Sequence, residues 1–278
     1  MTTLACGRVR LDLSRPLVMG ILNVTPDSFS DGGRHAGVEQ ALRHAQAMLD
    51  DGADIIDLGG ESTRPNAPAV SVEEEMARVL PVLERLQAFG VPLSLDTRRR
   101  AVMAAALPIG VDLINDVSAL EDEGALALLR DSDAAICLMH KQGNPDTMQQ
   151  RPDYRDVVEE VGSYLARRVA LCVDAGIART RLLVDPGFGF GKTLEHNLLL
   201  LRELSQLERL AGGIPLLVGL SRKSMFGALC DEAVPSERLG ASVAAALEAV
   251  RRGARIVRVH DVKATRQALQ VWNALESA

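Results

Sequence analysis

"LLVDPGFGFGKT", residues 182–193, carries two signals that point to different folds. Its second half ends in Gly191-Lys192-Thr193, the tail of a phosphate-cradling P-loop. A P-loop requires glycine five positions before Gly191, and that position is Pro186. The dinucleotide fingerprint fails as well, because Gly187 and Gly189 would need glycine where Lys192 stands. The first half therefore decides the reading. It is a continuous apolar run that ends in Asp185 and a Pro-Gly turn. Apolar residues at every position, rather than at alternate ones, suit a strand buried on both faces of a parallel sheet. The glycines then supply flexibility after a strand, letting a ligand approach Asp185 and Phe190.

The same signature recurs along the chain, as "LVMGILNV" (17–24), "DIIDLGG" (54–60), "PLSLDT" (92–97), "LINDVS" (113–118), "AAICLMH" (134–140), "PLLVGLS" (215–221) and "RIVRVHD" (255–261). Between the runs lie helical patterns. Residues 38–53 have apolar side chains at helical spacing and stop at Asp51-Gly52. Residues 71–90 open with Ser71 and Glu74 at capping-box spacing, and 236–254 open with Ser236 and end at Gly253. Eight strands, each followed by a helix, predict an α/β fold: a single-domain (β/α)8 TIM barrel over residues 1–278. An open doubly wound sheet is the alternative.

Composition narrows the function. The chain is 47% hydrophobic, enough for a sizeable core, and its aromatic content of 3% disfavours an aromatic-rich sandwich. A net charge of −6 argues against nonspecific nucleic-acid binding. No apolar leader or membrane-length apolar run is present, so a cytoplasmic protein without a membrane partner is expected. Cys6, Cys137, Cys172 and Cys230 are scattered, which suits reduced thiols, and the histidines form no zinc-like pair.

In such a barrel the active site lies at the C-terminal ends of the strands. Those ends carry Asn23, Gly59-Gly60, Asp96, Asn115-Asp116, Met139-His140, Asp185, the segment Ser221–Ser224, and Arg258 with His260. Each has a bland reading. Asp96 could cap the next helix, Asn115-Asp116 could form a turn, Asp185-Pro186-Gly187 is a common turn, and Asp54 and Asp57 suit a strand flank and a structural contact. His196 suits a helix start. Independent turns would not, however, gather carboxylates, amides and cations on one rim. Asp96, Asn115 and Asp185 suit a ligand edge rich in N–H donors, such as an amino-pyrimidine, and Lys223 can donate to a ring oxygen or nitrogen. Arg64, Arg222, Arg258 and His260, with Asn23 opposite, suit a phosphate or diphosphate.

Seven segments, "MGILNVTPDSFSDGG" (19–33), "DLGGESTRP" (57–65), "LINDVSAL" (113–120), "LMHKQGNPDTMQ" (138–149), "VDPGFGFGK" (184–192), "GLSRKSMFG" (219–227) and "RVHDVKAT" (258–265), closely resemble the dihydropteroate synthase family of folate biosynthesis. The resemblance covers nearly the whole chain. It implies a pterin-binding (β/α)8 barrel that joins 6-hydroxymethyl-7,8-dihydropterin diphosphate to 4-aminobenzoate, giving 7,8-dihydropteroate and diphosphate through an SN1-like step. It assigns the pterin to Asp96, Asn115, Met139, Asp185, Lys223 and Arg258. The diphosphate falls to Asn23, Thr63, Arg64, Arg258 and His260, with Asn23 also a ligand of Mg2+. The aminobenzoate falls to Phe29, Thr63, Pro65, Phe190, Arg222 and Ser224. Asp31 joins Asp96, Asp185 and Lys223 as a catalytic candidate, and loops 24–37 and 61–70 would close over the substrates. The resemblance also implies a homodimer. The Ala-rich helix at 240–250 is a candidate face for it, and equally a candidate for inward packing. Lys141, where many relatives carry Met, and Asn66, where Gly is frequent, bear on loop geometry and inhibitor sensitivity. Two rivals remain at this stage: a pterin-dependent methyltransferase barrel and a non-catalytic pterin-binding paralogue.

Overall fold

The structure is a computed structural model that describes residues 2–24, 33–61, 70–143 and 152–276, with 33–35 described in their backbone alone. Ten strands are present among the described residues. They are β1 (Thr3–Cys6), β2 (Val9–Asp12), β3 (Leu17–Asn23), β4 (Ile55–Gly59), β5 (Leu93–Asp96), β6 (Leu113–Asp116), β7 (Ala135–Met139), β8 (Leu182–Asp185), β9 (Leu216–Val218) and β10 (Ala254–Val259). The last eight close into a barrel in the order β10-β3-β4-β5-β6-β7-β8-β9, every neighbour parallel. The predicted barrel is thereby found, and the open-sheet alternative is excluded.

Strand alternation divides the core in two. Side chains such as Val18, Ile56, Leu95, Ile114, Leu138 and Val184 face outward into the layer between sheet and helices. Met19, Ile55, Leu113, Ala135, Cys137, Leu183, Leu217 and Ile256 face inward and fill the barrel's lower half. Two residues further along β4, β6, β8 and β10, the inward file turns polar: Asp57 follows Ile55, Asn115 follows Leu113, Asp185 follows Leu183 and Arg258 follows Ile256. A period of two thus stacks a polar layer directly on an apolar one.

The hairpin of β1 and β2 was not anticipated. Its pairing is antiparallel, with Cys6 opposite Val9. Leu4, Cys6 and Leu13 are fully buried against the inward apolar file, so the hairpin plugs the end of the barrel away from the site. Each fully buried leucine is worth about 1.5–3 kcal/mol. Asp112 pins the plug: its carboxylate accepts from Arg8 N at 3.0 Å, from Arg8 Nη2 at 2.7 Å and from Leu93 N at 2.9 Å.

The helices agree with the expected patterns, with corrected boundaries. α1 (Gly33–Asp50) begins earlier than residue 38. α2 (Val72–Leu86) starts where expected, with Ser71 Oγ accepting from Glu74 N at 3.1 Å. α3 (Arg100–Ala106), α4 (Ala125–Arg130) and α5 (Val157–Asp174) follow. α6 (Leu194–Arg202) opens with a reciprocal capping box between Thr193 and His196, the helix start foreseen for that histidine. α7 (Leu204–Leu210), α8 (Ser224–Cys230), α9 (Leu239–Arg251) and α10 (Val262–Glu276) complete the set. Ser236 does not cap α9. It lies in the 3-10 turn Pro235–Glu237, and the helix begins after Arg238, whose guanidinium is tied to the carbonyls of Glu232, Ala233 and Arg222. Ser242, Ala245, Ala246, Ala249 and Val250 of α9 are buried and pack inward, while Gly240 and Ala244 are exposed. No helix among the described residues is long and apolar enough to cross a membrane.

Candidate active site

Parallel register brings the polar residues level. Asn23 stands beside Gly59, Gly59 beside Asp96, and Asp96 beside Asn115. Across the barrel, Met139 stands beside Asp185. Residues on one rung of a parallel sheet point the same way, so these side chains converge at the mouth. The mouth is a cavity of about 380 Å³. Asn23, Asp96, Asn115, Met139, Asp185, Phe190, Arg222, Lys223, Ser224, Arg258 and His260 all line it. Phe29, Asp31, Thr63, Arg64, Pro65 and Asn66 lie outside the described residues.

The bland readings can now be sorted. Asp96 does not cap α3, whose N-terminal neighbour Arg99 makes no side-chain cap. Asp116 is the turn residue of its pair, accepting from Ser118 N and Leu120 N at 2.7 Å each, and this leaves Asn115 to the cavity. Asp185 does both: Oδ1 accepts from Gly187 N at 2.7 Å while the carboxylate lines the pocket.

Below the cavity floor lies a carboxylate that the sequence reading set aside. Asp57 is fully buried. It accepts from Ser94 Oγ at 2.5 Å, its rung neighbour on β5, and from Arg258 Nε at 2.5 Å. Asn115 Nδ2 donates at 3.4 Å to Asp57 Oδ2, the oxygen that Arg258 also holds, while Ser94 takes Oδ1. Arg258 Nη2 donates to Asp96 Oδ2 at 2.7 Å. One guanidinium therefore spans two carboxylates, a geometry lysine cannot reproduce. The available signal was a lone carboxylate inside the apolar strand "IIDLG".

Burial sets the charge balance. It raises Asp96 to about 7, against the attraction of Arg258, while Asp57 adds to the rise. It raises Asp185 to about 6, against the Gly187 N–H and the charge of Lys223. Both carboxylates are thus poised near neutrality rather than locked as anions. Lys223 Nζ sits over the Phe190 ring, 4.3 Å from its centroid. Arg222, at φ +58°, is held by Asp261, with Nε donating at 2.9 Å. The Nδ1 of His260 lies 3.0 Å from Ser221 Oγ.

The turn after β8 is pinned rather than flexible, which corrects the expectation. Gly187 has φ +68°, and a Cβ there would lie 1.8 Å from the His140 carbonyl oxygen. Gly191 has φ +64°, and its Cβ would lie 2.3 Å from the Gln142 carbonyl oxygen. Glycine is needed for close approach of backbone to backbone. Glu61, at the cavity edge, is held by Arg98 and Arg99 and was also missed.

A closed parallel barrel whose mouth gathers carboxylates, an amide and cations in one cavity suits a polar heterocycle that carries an anionic group. Residues 19–260 match the pterin binding enzyme family. The chain is 57% identical over 274 residues to the dihydropteroate synthase of Neisseria meningitidis serogroup B, covering 97% of this chain and 96% of that one. Dihydropteroate synthase of Xanthomonas albilineans, solved with 4-aminobenzoic acid, superposes with a TM-score of 0.93 at 50% identity, covering 100% of this chain and 99% of that one. The Burkholderia cenocepacia enzyme complexed with 7,8-dihydropteroate gives 0.90 at 49% identity, covering 99% and 97%. The chain belongs to the pterin binding enzymes and, within them, to the dihydropteroate synthase family of transferases.

Proposed function

We propose that this chain joins 6-hydroxymethyl-7,8-dihydropterin diphosphate to 4-aminobenzoate, releasing diphosphate and 7,8-dihydropteroate. The observation that carries the reading is the convergence of Asp96, Asn115, Asp185, Lys223, Arg258 and His260 on one cavity. Asp96, Asn115 and Asp185 take the N–H edge of the pterin, Lys223 donates to its ring, and Met139 packs against it. Arg258, already on Asp96, flanks the ring and faces the diphosphate with His260. Phe190, Arg222 and Ser224 shape the aminobenzoate site. Thr63, Pro65 and Phe29 are proposed to join them, Arg64 and Thr63 to join the diphosphate site, and Asp31 to steady the reacting centre.

Charge dictates the order of events. An aryl amine is neutral near pH 7, so no strong general base is required to free it. The demanding step is C–O cleavage at the pterin methylene. The electron-rich ring stabilises the developing cation, Asp96 and Asp185 oppose it with negative charge, and the arginines hold the departing diphosphate. The step is therefore dissociative, with the amine attacking after bond cleavage.

Mg2+ fits the donor set in one way. Among the described residues no cluster of three acidic, histidine or cysteine ligands is present, so those residues form no protein cage for it. Asn23 offers a neutral oxygen at the cavity edge, and Mg2+ characteristically combines one or two protein oxygens with substrate phosphates and water. Bound there with the diphosphate, the ion would supply Lewis-acid stabilisation of the leaving group.

A homodimer is proposed on the exposed Leu229, Val234 and Leu239, which border α8 and α9. The free cysteines fit a reducing, cytoplasmic setting. Diphosphate release measured with and without 4-aminobenzoate tests the reaction. Release that depends on the amine supports it. A methyltransferase barrel would release none, and a non-catalytic paralogue would bind pterin without turnover.

A further inference from the structure

Lys192 is 3% exposed and does not line the cavity, yet it touches the turn that does. Its Nζ donates to the carbonyls of Gly187 at 2.9 Å and Phe190 at 3.1 Å, and lies 3.0 Å from His140 Nδ1. Burial lowers Lys192 to about 7, and in its ammonium form its three protons match these acceptors. Burial holds His140 down at about 2, so its ring is neutral, and the tautomer protonated at Nε2 leaves Nδ1 to accept. The turn itself has three left-handed glycines, Gly187, Gly189 and Gly191. Outside bonds reach it from Asn197, which accepts from Gly189 N at 2.8 Å, and from Tyr154, whose hydroxyl donates to the Gly191 carbonyl at 2.9 Å. Lys192 binds it from within, at both ends of the Gly187–Phe190 segment.

We infer that Lys192 is a positioning residue for the arylamine half of the reaction: with His140, it fixes the turn that sets the Phe190 ring. The inference rests on the reading above that Phe190 shapes the aminobenzoate site. Asp185 is held independently by the β7–β8 ladder, where His140 N donates to the Asp185 carbonyl at 3.0 Å. Phe190 has no strand to hold it. Loss of the ammonium therefore displaces the arylamine wall more than the pterin acceptor.

The test is Lys192→Met, which keeps the stem and removes the donors. The Michaelis constant for 4-aminobenzoate, kcat, and the affinity for a fluorescent pterin lacking the diphosphate would be measured beside the wild type. The expected result is a KM for 4-aminobenzoate raised about tenfold, with pterin affinity within about threefold. A folded variant whose KM for 4-aminobenzoate stays within about twofold would overturn the inference, as would equal losses for both substrates. Should Lys192→Met fail to fold, His140→Phe, which removes one of the three acceptors, decides by the same split. A wild-type protein that makes no dihydropteroate would sink the functional reading and not the positioning geometry.

Discussion

Arg258 is the bridge between Asp57 and Asp96, donating to the first from Nε at 2.5 Å and to the second from Nη2 at 2.7 Å. Asp57 sits beneath the cavity floor and Asp96 lines the cavity, so one cation links the buried support to the substrate-facing acceptor. Arg258→Met leaves two buried carboxylates without their cation. Breaking such a pair costs about 3 kcal/mol, which should lower the melting temperature measurably. Adding Asp57→Asn removes one of the stranded charges. The double variant should regain part of the stability, while turnover of the pterin diphosphate stays depressed. A double variant no more stable than Arg258→Met would contradict the bridging role.

Asp96 and Asp185 make pterin binding depend on pH. Their folded values, about 7 and about 6, lie above the ordinary 3.8. A raised carboxylate favours the folded state fully below its unfolded value, and that contribution is lost as pH rises through the folded value. Between about pH 4 and 7 the free protein therefore loses stability from these groups. A ligand that donates N–H bonds favours their ionised forms and offsets the loss. The rise in melting temperature caused by a pterin should be larger at pH 8 than at pH 5.5. Asp96→Asn should flatten this difference and reduce turnover at least a hundredfold while the fold survives. Unchanged dihydropteroate formation in that variant would remove Asp96 from the site.

Much of this arrangement could be read from the chain before any fold was known. The strands announce themselves because a parallel barrel buries both faces, and Asp96, Asn115 and Asp185 stand out because each ends an apolar run. What escaped depends on partners distant in sequence. Asp57 finds Ser94 37 residues away and Arg258 201 residues away, and no local pattern encodes that meeting. Lys192 was weighed as a nucleotide ligand and set aside. Its bonds to Gly187 and His140 exist only once β7 and β8 lie side by side. The plugging hairpin was readable in the alternation of "VRLD", but a four-residue strand carries too little signal to stand alone.

A glycine of the β8 turn and one of the loop between α7 and β9 give a paired prediction. Gly187 and Gly213 both have positive φ, +68° and +71°. Alanine at Gly213 meets nothing within 4 Å, so it should cost about 1 kcal/mol for backbone strain alone. Alanine at Gly187 must also displace the His140 carbonyl, and with it the acceptor set around Lys192. It should yield little folded protein and no turnover. Comparable melting temperatures for the two variants would show that the turn tolerates more movement than its packing implies.

Sulfonamides resemble 4-aminobenzoate in shape and charge, and should compete with it at the wall formed by Phe190, Arg222 and Ser224. Initial-rate inhibition should raise the KM for 4-aminobenzoate without changing kcat. A pattern noncompetitive with the amine would place the drugs elsewhere.

Asp112 separates stability from catalysis, because it anchors the plug at the end of the barrel opposite the site. Asp112→Ala strands the buried Leu93 N–H and releases Arg8, so it should cost about 2–3 kcal/mol. Arg8→Ala should cost under about 1 kcal/mol, since the Arg8 side chain is 46% exposed and solvent screens the pair. The asymmetry arises because the backbone donor, not the ion pair, is what the carboxylate keeps from being buried unpaired. Chemical denaturation would measure the two costs, and kcat/KM for both substrates should stay near wild type below the unfolding transition. A selective fall in kcat/KM for Asp112→Ala would mean that the plug transmits strain through the inward file of Leu113 and Asn115, tying the two ends of the barrel together.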